Sequence, residues 1–354
     1  MSYPMVSIII LNYNGRRHLG KVFPDCIRSA LKTEYRNFEV ILVDNASADD
    51  SVRFAKEEFG KDPMFRIIEN DRNLGFAEGN NSGIRQARGE LVVLLNSDTR
   101  VEPNWLENLV RAAQPMEIGA VQSKLLNMDN PLLLDSAGGF VDAYGYHWER
   151  GRGEVASRYG KVDEIFYAKG ASVLLKKSAL RRSGLFDSDI FMYFDETDLC
   201  WRLKLAGFKV LFAPDSVVYH AAGKTASAVG LRNRLYLHTR NHILVLTKNY
   251  SLLNLAKAII VSILFETRNF FVFLARGNPL VSLSIVEALW WNLRHLAATW
   301  KKRTKVQSFV RKVEDKEIQK IMLSPMPPFP LYLVFSRGRY LRKRVNVNSV
   351  YGEK

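Results

Sequence analysis

Cysteine is nearly absent: Cys26 and Cys200 are the only two in 354 residues, far apart and each inside a helix-like stretch. A disulfide framework and a cysteine-based metal site are thereby excluded, and a reducing compartment is expected. The start, MSYPMVSIII, lacks the basic segment and long apolar core of an export signal, so nothing there points to export. Long apolar runs are lacking too. The richest, NLAKAIIVSILFETRNFFVFLA, is interrupted by Lys257, Glu266 and Arg268. No stretch therefore supplies the roughly 18 to 20 uncharged residues of a membrane-spanning helix. Proline is sparse, and with 47% hydrophobic and 25% charged residues the chain has the composition of a globular protein, not a disordered one. Acid is scarce at the C-terminal end. From Lys301 onward 14 Lys and Arg face only Glu314, Asp315, Glu317 and Glu353, so about ten of the fifteen net positive charges lie there. Such a tail attracts an anionic surface, the phosphates of lipid or of nucleic acid being the two obvious ones.

What is present is an alternation. Met5–Asn12 reads as a strand, and an amphipathic helix with Leu19, Val22, Cys26, Ile27, Ala30 and Leu31 on one face follows it. Phe38–Asp44 is a second strand, SADDSVRFAKEEF a helix opened by Ser47 and acids, and Phe65–Ile68 a third strand. GNNSGIRQARG reads as a helix stopped at Gly89, leading into the apolar run Leu91–Leu95. Strands and helices joined by short connections mean βαβ units, a doubly wound α/β class and a mostly parallel sheet flanked by helices.

Ligands of such sheets bind beyond the carboxyl ends of the strands. Strand one ends in Asn12, Tyr13 and Asn14, strand two in Asp44, Asn45 and Ser47, and the fourth in Asn96, Ser97 and Asp98. Each cluster alone could be a turn or a helix cap. Three on one sheet edge form a polar crevice. An acid where the sheet opens suits Mg²⁺ or Mn²⁺, which takes one or two carboxylates and leaves the other positions to water and substrate phosphate. That acid is Asp98, with Asn96 as a neutral oxygen or hydrogen-bond donor. NLGFAEGNNSGIRQARG places Gly75, Gly79 and Gly83 at four-residue spacing, where backbone can approach a phosphate, although packing on the sheet explains Gly83 equally well.

From Ile118 to His220, IGAVQSKLL and AKGASVLLKKS read as strands, FDETDLCWRLKLAGF as a helix ending at Gly207, and KVLFAPDSVVYH as extended chain completing the same sheet. Asp195, Glu196 and Asp198 open the helix, where acids also serve as caps. Their mutual repulsion can keep one carboxyl basic enough to take a proton. Beyond residue 225, apolar helices carrying Trp290, Trp291 and Trp300 beside Arg294, Lys301, Lys302 and Arg303 suit helices lying in a membrane surface. Packing within the protein or a homodimer interface would serve them as well.

In that order, VSIIILNYNG, VDNAS, NLGFAEGNNSGI, LLNSDT and GLFDSDIFMYFDETDLCWRLKLAGFKV resemble glycosyltransferase family 2, in its rhamnosyltransferase-like branch with the GT-A fold. The resemblance covers roughly residues 5 to 225. It implies a Rossmann-like GT-A domain over 1–225, a helical extension over 226–354, and inverting transfer of a sugar from a nucleotide-diphosphate donor to an acceptor hydroxyl. Asp98 and His220 would hold the divalent metal. Asn12, Asn14, Asp44, Asn73, Gly75, Asn80 and Asn96 would line the donor site. Glu196 would be the general base, with Asp195 and Asp198 as alternatives because Glu stands where the family's motif has Asp. Rhamnose is the branch-level expectation for the sugar, and a glycan or lipid-linked precursor for the acceptor. The chain would then be cytoplasmic, peripheral on the inner face of the cell membrane, with no nucleic-acid partner. A processive synthase is discarded, since QSFVRK lacks the tryptophan and spacing of that class. The competing class is a non-catalytic basic protein binding membrane or nucleic acid on a degenerate fold.

Overall fold

The computed structural model describes residues 3–221 and 230–324. The expected boundary at 225/226 and the basic residues from Arg337 onward lie outside the described residues. The chain begins β1 (Val6–Asn12), α1 (Gly15–Leu19), α2 (Val22–Leu31), β2 (Phe38–Asp44), α3 (Ser51–Phe59), β3 (Phe65–Glu69), α4 (Gly75–Gln86) and β4 (Leu91–Asn96). The single helix expected over 19–31 is two, because the chain turns at Gly20 between α1 and α2. After β5 (Thr99–Val101) and α5 (Trp105–Ala112) come β6 (Ile118–Asn127), β7 (Leu134–Ser136), β8 (Gly139–Val141), β9 (His147–Glu149), β10 (Asp163–Glu164) and β11 (Ser172–Lys176). The domain closes with α6 (Lys177–Ser183), α7 (Asp195–Leu205) and β12 (Lys209–His220). AKGASVLLKKS is thus a strand only at its centre: its first residues form a turn and its last begin α6.

The sheet runs β10-β12-β6-β11-β4-β1-β2-β3. β4, β1, β2 and β3 are parallel, as are β6 and β12, while β11 lies antiparallel between β4 and β6. This is the mostly parallel α/β sheet expected. β-Branched residues fill its centre, and successive side chains go to opposite faces. Ile9, Ile41 and Leu94 join one core, packed by Ala77 and Ile84 of α4. Ile8, Ile10, Leu42 and Leu95 join the other, packed by Phe23, Ile27, Trp105 and Leu109.

The extension consists of α8 (Leu231–Asn249), α9 (Leu252–Ala275), α10 (Pro279–Arg294), α11 (Leu296–Lys305) and α12 (Asp315–Gln319). α8 is continuous with the catalytic-side core: Leu244, Val245, Leu246 and Tyr250 belong to the same cluster as Ile9. α9 and α10 build a smaller cluster with Phe265, Phe273 and Ile285. Among the described residues α9 is the one helix long and apolar enough, by length and composition, to cross a membrane. The expectation that no stretch qualifies is corrected to that extent, because two charges in an 18-residue window do not outweigh its leucine, isoleucine and phenylalanine.

Ile9 is fully enclosed at the middle of β1, so Ile9→Ala should cost about 2–5 kcal/mol, read as a lower urea midpoint with an unchanged slope.

Candidate active site

The strand ends do meet at one edge, but their side chains differ in what they are free to do. Asn12, Asn14 and Asp44 are turned into a network between two loops. Asn12 donates to Asp44 Oδ1 (2.7 Å) and to Ser47 Oγ (3.1 Å), and its own Oδ1 accepts the Gly15 N–H (3.1 Å). Asp44 Oδ2 accepts the Ser47 N–H at 2.8 Å, and Asn14 Oδ1 the Ala48 N–H at 2.7 Å. All three are buried. They shape the crevice wall instead of projecting from it.

The NLGF string is braced in the same way. Gly75 has φ +74°, and a Cβ there would fall 2.5 Å from Phe191. Its N–H is taken by Asn73 Oδ1 (2.9 Å) and its carbonyl by Asn45 Nδ2 (2.9 Å), while the next N–H, of Phe76, goes to Phe191 O (2.8 Å). The first two donors of α4 are therefore occupied within the protein. Asn80 donates to Phe76 O one turn back, and Gly79 and Gly83 lie against Leu11, Asn45, Ile9 and Val43 of the sheet. Asn73 stays exposed.

Asn96 and Asp98 behave differently. Asn96 is half-buried at the end of β4, and its side chain makes no hydrogen bond among the described residues. Asp98 Oδ1 lies 3.2 Å from His220 Nε2, and His220 Nδ1 lies 2.8 Å from Asp135 Oδ2. Asp135 also receives Lys169 Nζ at 2.9 Å, and the same ammonium lies 3.1 Å from Glu149. Burial opposes a charged imidazole, but the hydrogen bonds to Asp135 and Asp98 outweigh it and raise the His220 pKa to about 9. Burial would likewise raise Asp135, yet His220 and Lys169 together hold it well below the usual carboxylate range. No group of three or more His, Cys, Asp or Glu side chains converges as a metal cage among the described residues. One carboxylate and one imidazole do converge, a donor set that suits a cation relying on substrate oxygens and water for its other positions.

The acids of α7 separate cleanly. Glu196 is half-buried, and its Oε1 accepts the Gly170 N–H at 2.9 Å. Asp195 is buried, and burial followed by the neighbouring Glu196 raises its pKa well above the ordinary value. Asp198, offered by the sequence as a third base, is fully enclosed. It meets Arg202 at 2.8 Å, Lys248 at 2.9 Å and Asn249 Nδ2 at 3.0 Å. Those partners engage both its oxygens and join α7 to α8. The turn before α7 is held in turn by Asn241, which donates to Met192 O and Tyr193 O, both at 2.9 Å. Tyr193 and Phe194 there have left-handed backbone, φ +66° and +67°, a conformation that surrounding structure must impose.

Three residues bring the two halves together. Lys169 reaches the Asp135–His220–Asp98 chain, Gly170 binds Glu196, and the Ala171 carbonyl accepts the Asn96 N–H at 3.1 Å. A Cβ on Gly170 would stand 2.4 Å from the Phe76 ring and 2.9 Å from Glu196 Oε1. Asp135, Lys169 and Gly170 carry no sequence signal that singles them out: they lie outside the motifs and gain meaning only through their partners.

Asp198→Ala would leave Arg202 buried without its counter-charge and Lys248 with Asp187 alone, and should cost about 3–5 kcal/mol of stability. Glu196→Gln keeps an acceptor for Gly170 and should leave the melting temperature within about 1 °C of wild type, since a surface-side substitution changes stability little. Thermal melts of both variants check the contrast.

Comparison with known proteins bears on the fold and the family. Residues 7–181 match the family model described as Glycosyl transferase family 2. An uncharacterized Sinorhizobium fredii protein, y4gI, is 32% identical over 227 residues, which are 61% of this chain and 24% of that protein. The chain thus spans about a quarter of that relative's length. The N-acetylglucosaminyl-diphospho-decaprenol L-rhamnosyltransferase of Mycobacterium tuberculosis is 25% identical over 240 residues, 61% of this chain and 76% of that one. The mannosyltransferase PcManGT of Pyrobaculum calidifontis, solved with GDP-Man and Mn²⁺, superposes with a TM-score of 0.52 at 18% identity, covering 83% of this chain and 88% of that one.

Proposed function

Because residues 7–181 belong to glycosyl transferase family 2, we propose that the chain transfers a sugar, with inversion, from a nucleotide-diphosphate donor to a hydroxyl of a glycan or lipid-linked acceptor. The observation that carries this reading is the juxtaposition at the 169–171 turn of Glu196 with the Asn96–Asp98–His220 edge. The braced loops after β1 and β2, with Asp44, Asn12 and Asn14, and the NLGF segment, with Asn73, Gly75 and Asn80, form the walls for the nucleotide. Asn96 has free amide atoms to meet the donor. Asp98 and His220 would hold Mn²⁺ or Mg²⁺, which would neutralise charge on the departing diphosphate.

Glu196 takes the acceptor's hydroxyl proton as that oxygen forms its bond to the anomeric carbon on the face opposite the diphosphate. The bond from the anomeric carbon to the diphosphate oxygen breaks, and its electron pair leaves on the diphosphate. Asp195 is buried, and Asp198 is committed to its ion pairs. The rhamnosyltransferase named above supports rhamnose as the sugar and a lipid diphosphate sugar as the acceptor class. Such an acceptor places the chain on the cytoplasmic face of the membrane. A homodimer is compatible with the same chemistry, and nucleic acid has no part in it.

Glu196→Gln and Asp98→Ala should each lower donor turnover by about 10²-fold or more with melting temperatures near wild type; rates close to wild type in both would overturn the assignment. The matching donor, screened among nucleotide sugars, should stabilise the protein only with Mn²⁺ or Mg²⁺ present, by about 2.7 kcal/mol at a hundredfold excess over Kd. EDTA should abolish that gain.

A further inference from the structure

α9 and α10 expose apolar side chains that a helix of a water-soluble bundle would turn inward. The side of α9 packed inward carries Ser262, Glu266 and Asn269 among Leu255, Ala258, Phe265 and Phe273, all buried. The opposite side carries Leu253, Ile260, Leu264 and Phe271, each more than 60% exposed. These four recur at intervals of seven and four residues and lie on one stripe, a half-turn from the buried polar set. α10 packs Val281, Ile285 and Ala288 inward and yet keeps an apolar outer side, where Leu280, Trp290 and Leu293 are more than half exposed. Fifteen of the 23 large hydrophobic side chains exposed among the described residues fall between Leu252 and Phe309, so the exposure is concentrated on these helices. A contiguous apolar surface of this kind needs an apolar medium against it.

Charge identifies the medium. Residues 252–309 contain eight Lys and Arg against two acids, Glu266 and Glu287. Glu266 is buried and Glu287 is paired with Arg232. Lys257 and Arg268 are exposed beside the α9 stripe, and an open basic hollow lined by Lys301, Lys302, Thr304, Lys305 and Phe309 follows at the end of α11. A second copy seated on this face would oppose cation to cation across a two-fold axis. The chain's own segment 325–354 would do the same, having six Lys and Arg and the single acid Glu353. An anionic bilayer meets both needs, taking leucine, phenylalanine and tryptophan into its boundary and pairing lysine and arginine with phosphate.

We infer that the outer faces of α9, α10 and α11 form one docking surface for an anionic lipid bilayer, with the helices lying along it. The inner side of α9 rests on α8 and α10. Lipid therefore reaches only its outer side. The inference rests on the membrane-surface part of the proposed function and names the face, its orientation and the lipid charge.

The test uses the full chain with single introduced cysteines, because Cys26 and Cys200 are buried and do not take label. Leu264→Cys, Leu283→Cys and, as a control remote from these helices, Met116→Cys each carry an environment-sensitive dye. With vesicles of phosphatidylglycerol and phosphatidylcholine, the first two labels should shift to the blue and be quenched by brominated lipid, while the third should not. Phosphatidylcholine alone should give much weaker binding, and Lys301→Gln and Lys305→Gln should each weaken anionic-vesicle binding about fivefold. Labels at 264 and 283 already in an apolar setting without vesicles would overturn the inference, in favour of a second copy if the signal rises with protein concentration and of segment 325–354 if it does not. The absence of any vesicle-dependent shift would overturn it as well. Vesicle binding is measured without donor and turnover with a soluble acceptor analogue without vesicles, so failure of the docking face and failure of the chemistry are read separately.

Discussion

The turn Lys169–Gly170–Ala171 is the piece on which the crevice depends. Its ammonium fixes Asp135 and through it His220, its central N–H fixes Glu196, and its last carbonyl fixes the end of β4. Each contact crosses between elements far apart in sequence, so none forms until the sheet does. β11, which the turn feeds, runs antiparallel between β4 and β6. That reversal carries the turn to the carboxyl end of β4, where a parallel strand would have brought its own far end.

Charge is handled in two ways around this point. Asp198 and Asp187 are buried among Arg202, Lys248 and Lys302, and their ion pairs lock α7, α8 and α11 together. Such pairs are costly to break and contribute little beyond position. Asp98 and Glu196, by contrast, face the crevice edge with one carboxylate oxygen engaged each, by His220 and by the Gly170 N–H. Structural and chemical acids thus stand within four residues of each other on α7, separated by which side of the helix meets α8. The same α8 holds the strained turn at Tyr193 and Phe194 through Asn241. The helical extension is therefore part of what presents Glu196, besides carrying the apolar outer sides of α9 and α10.

The fold class was legible because period and punctuation agree: buried β-branched runs, amphipathic helices and short polar connections leave few arrangements. Strand ends were legible for the same reason, since a buried strand can turn polar only where it leaves the core. What was not legible is the fate of each polar side chain. Asn12, Asn14 and Asp44 end strands as ligands would, and the sequence does not show that they also brace the two loops against each other. Asp198 looks like its neighbour Glu196 and proves to be the counter-charge of two buried cations. Asp135 and Lys169 draw no notice in sequence and sit at the centre of the site.

The sequence by itself determined the doubly wound sheet, the edge at which the crevice opens, and the family to which residues 7–181 belong. Periodicity and strand-end residues are local properties that burial enforces wherever the chain runs. Only the tertiary structure decided which carboxylates are spent on ion pairs and which remain available, and that α9 keeps an apolar side outward. Those outcomes depend on partners 26 to 85 residues away, such as Gly170 for Glu196 and Asp135 for His220, and no local pattern encodes which distant group will arrive.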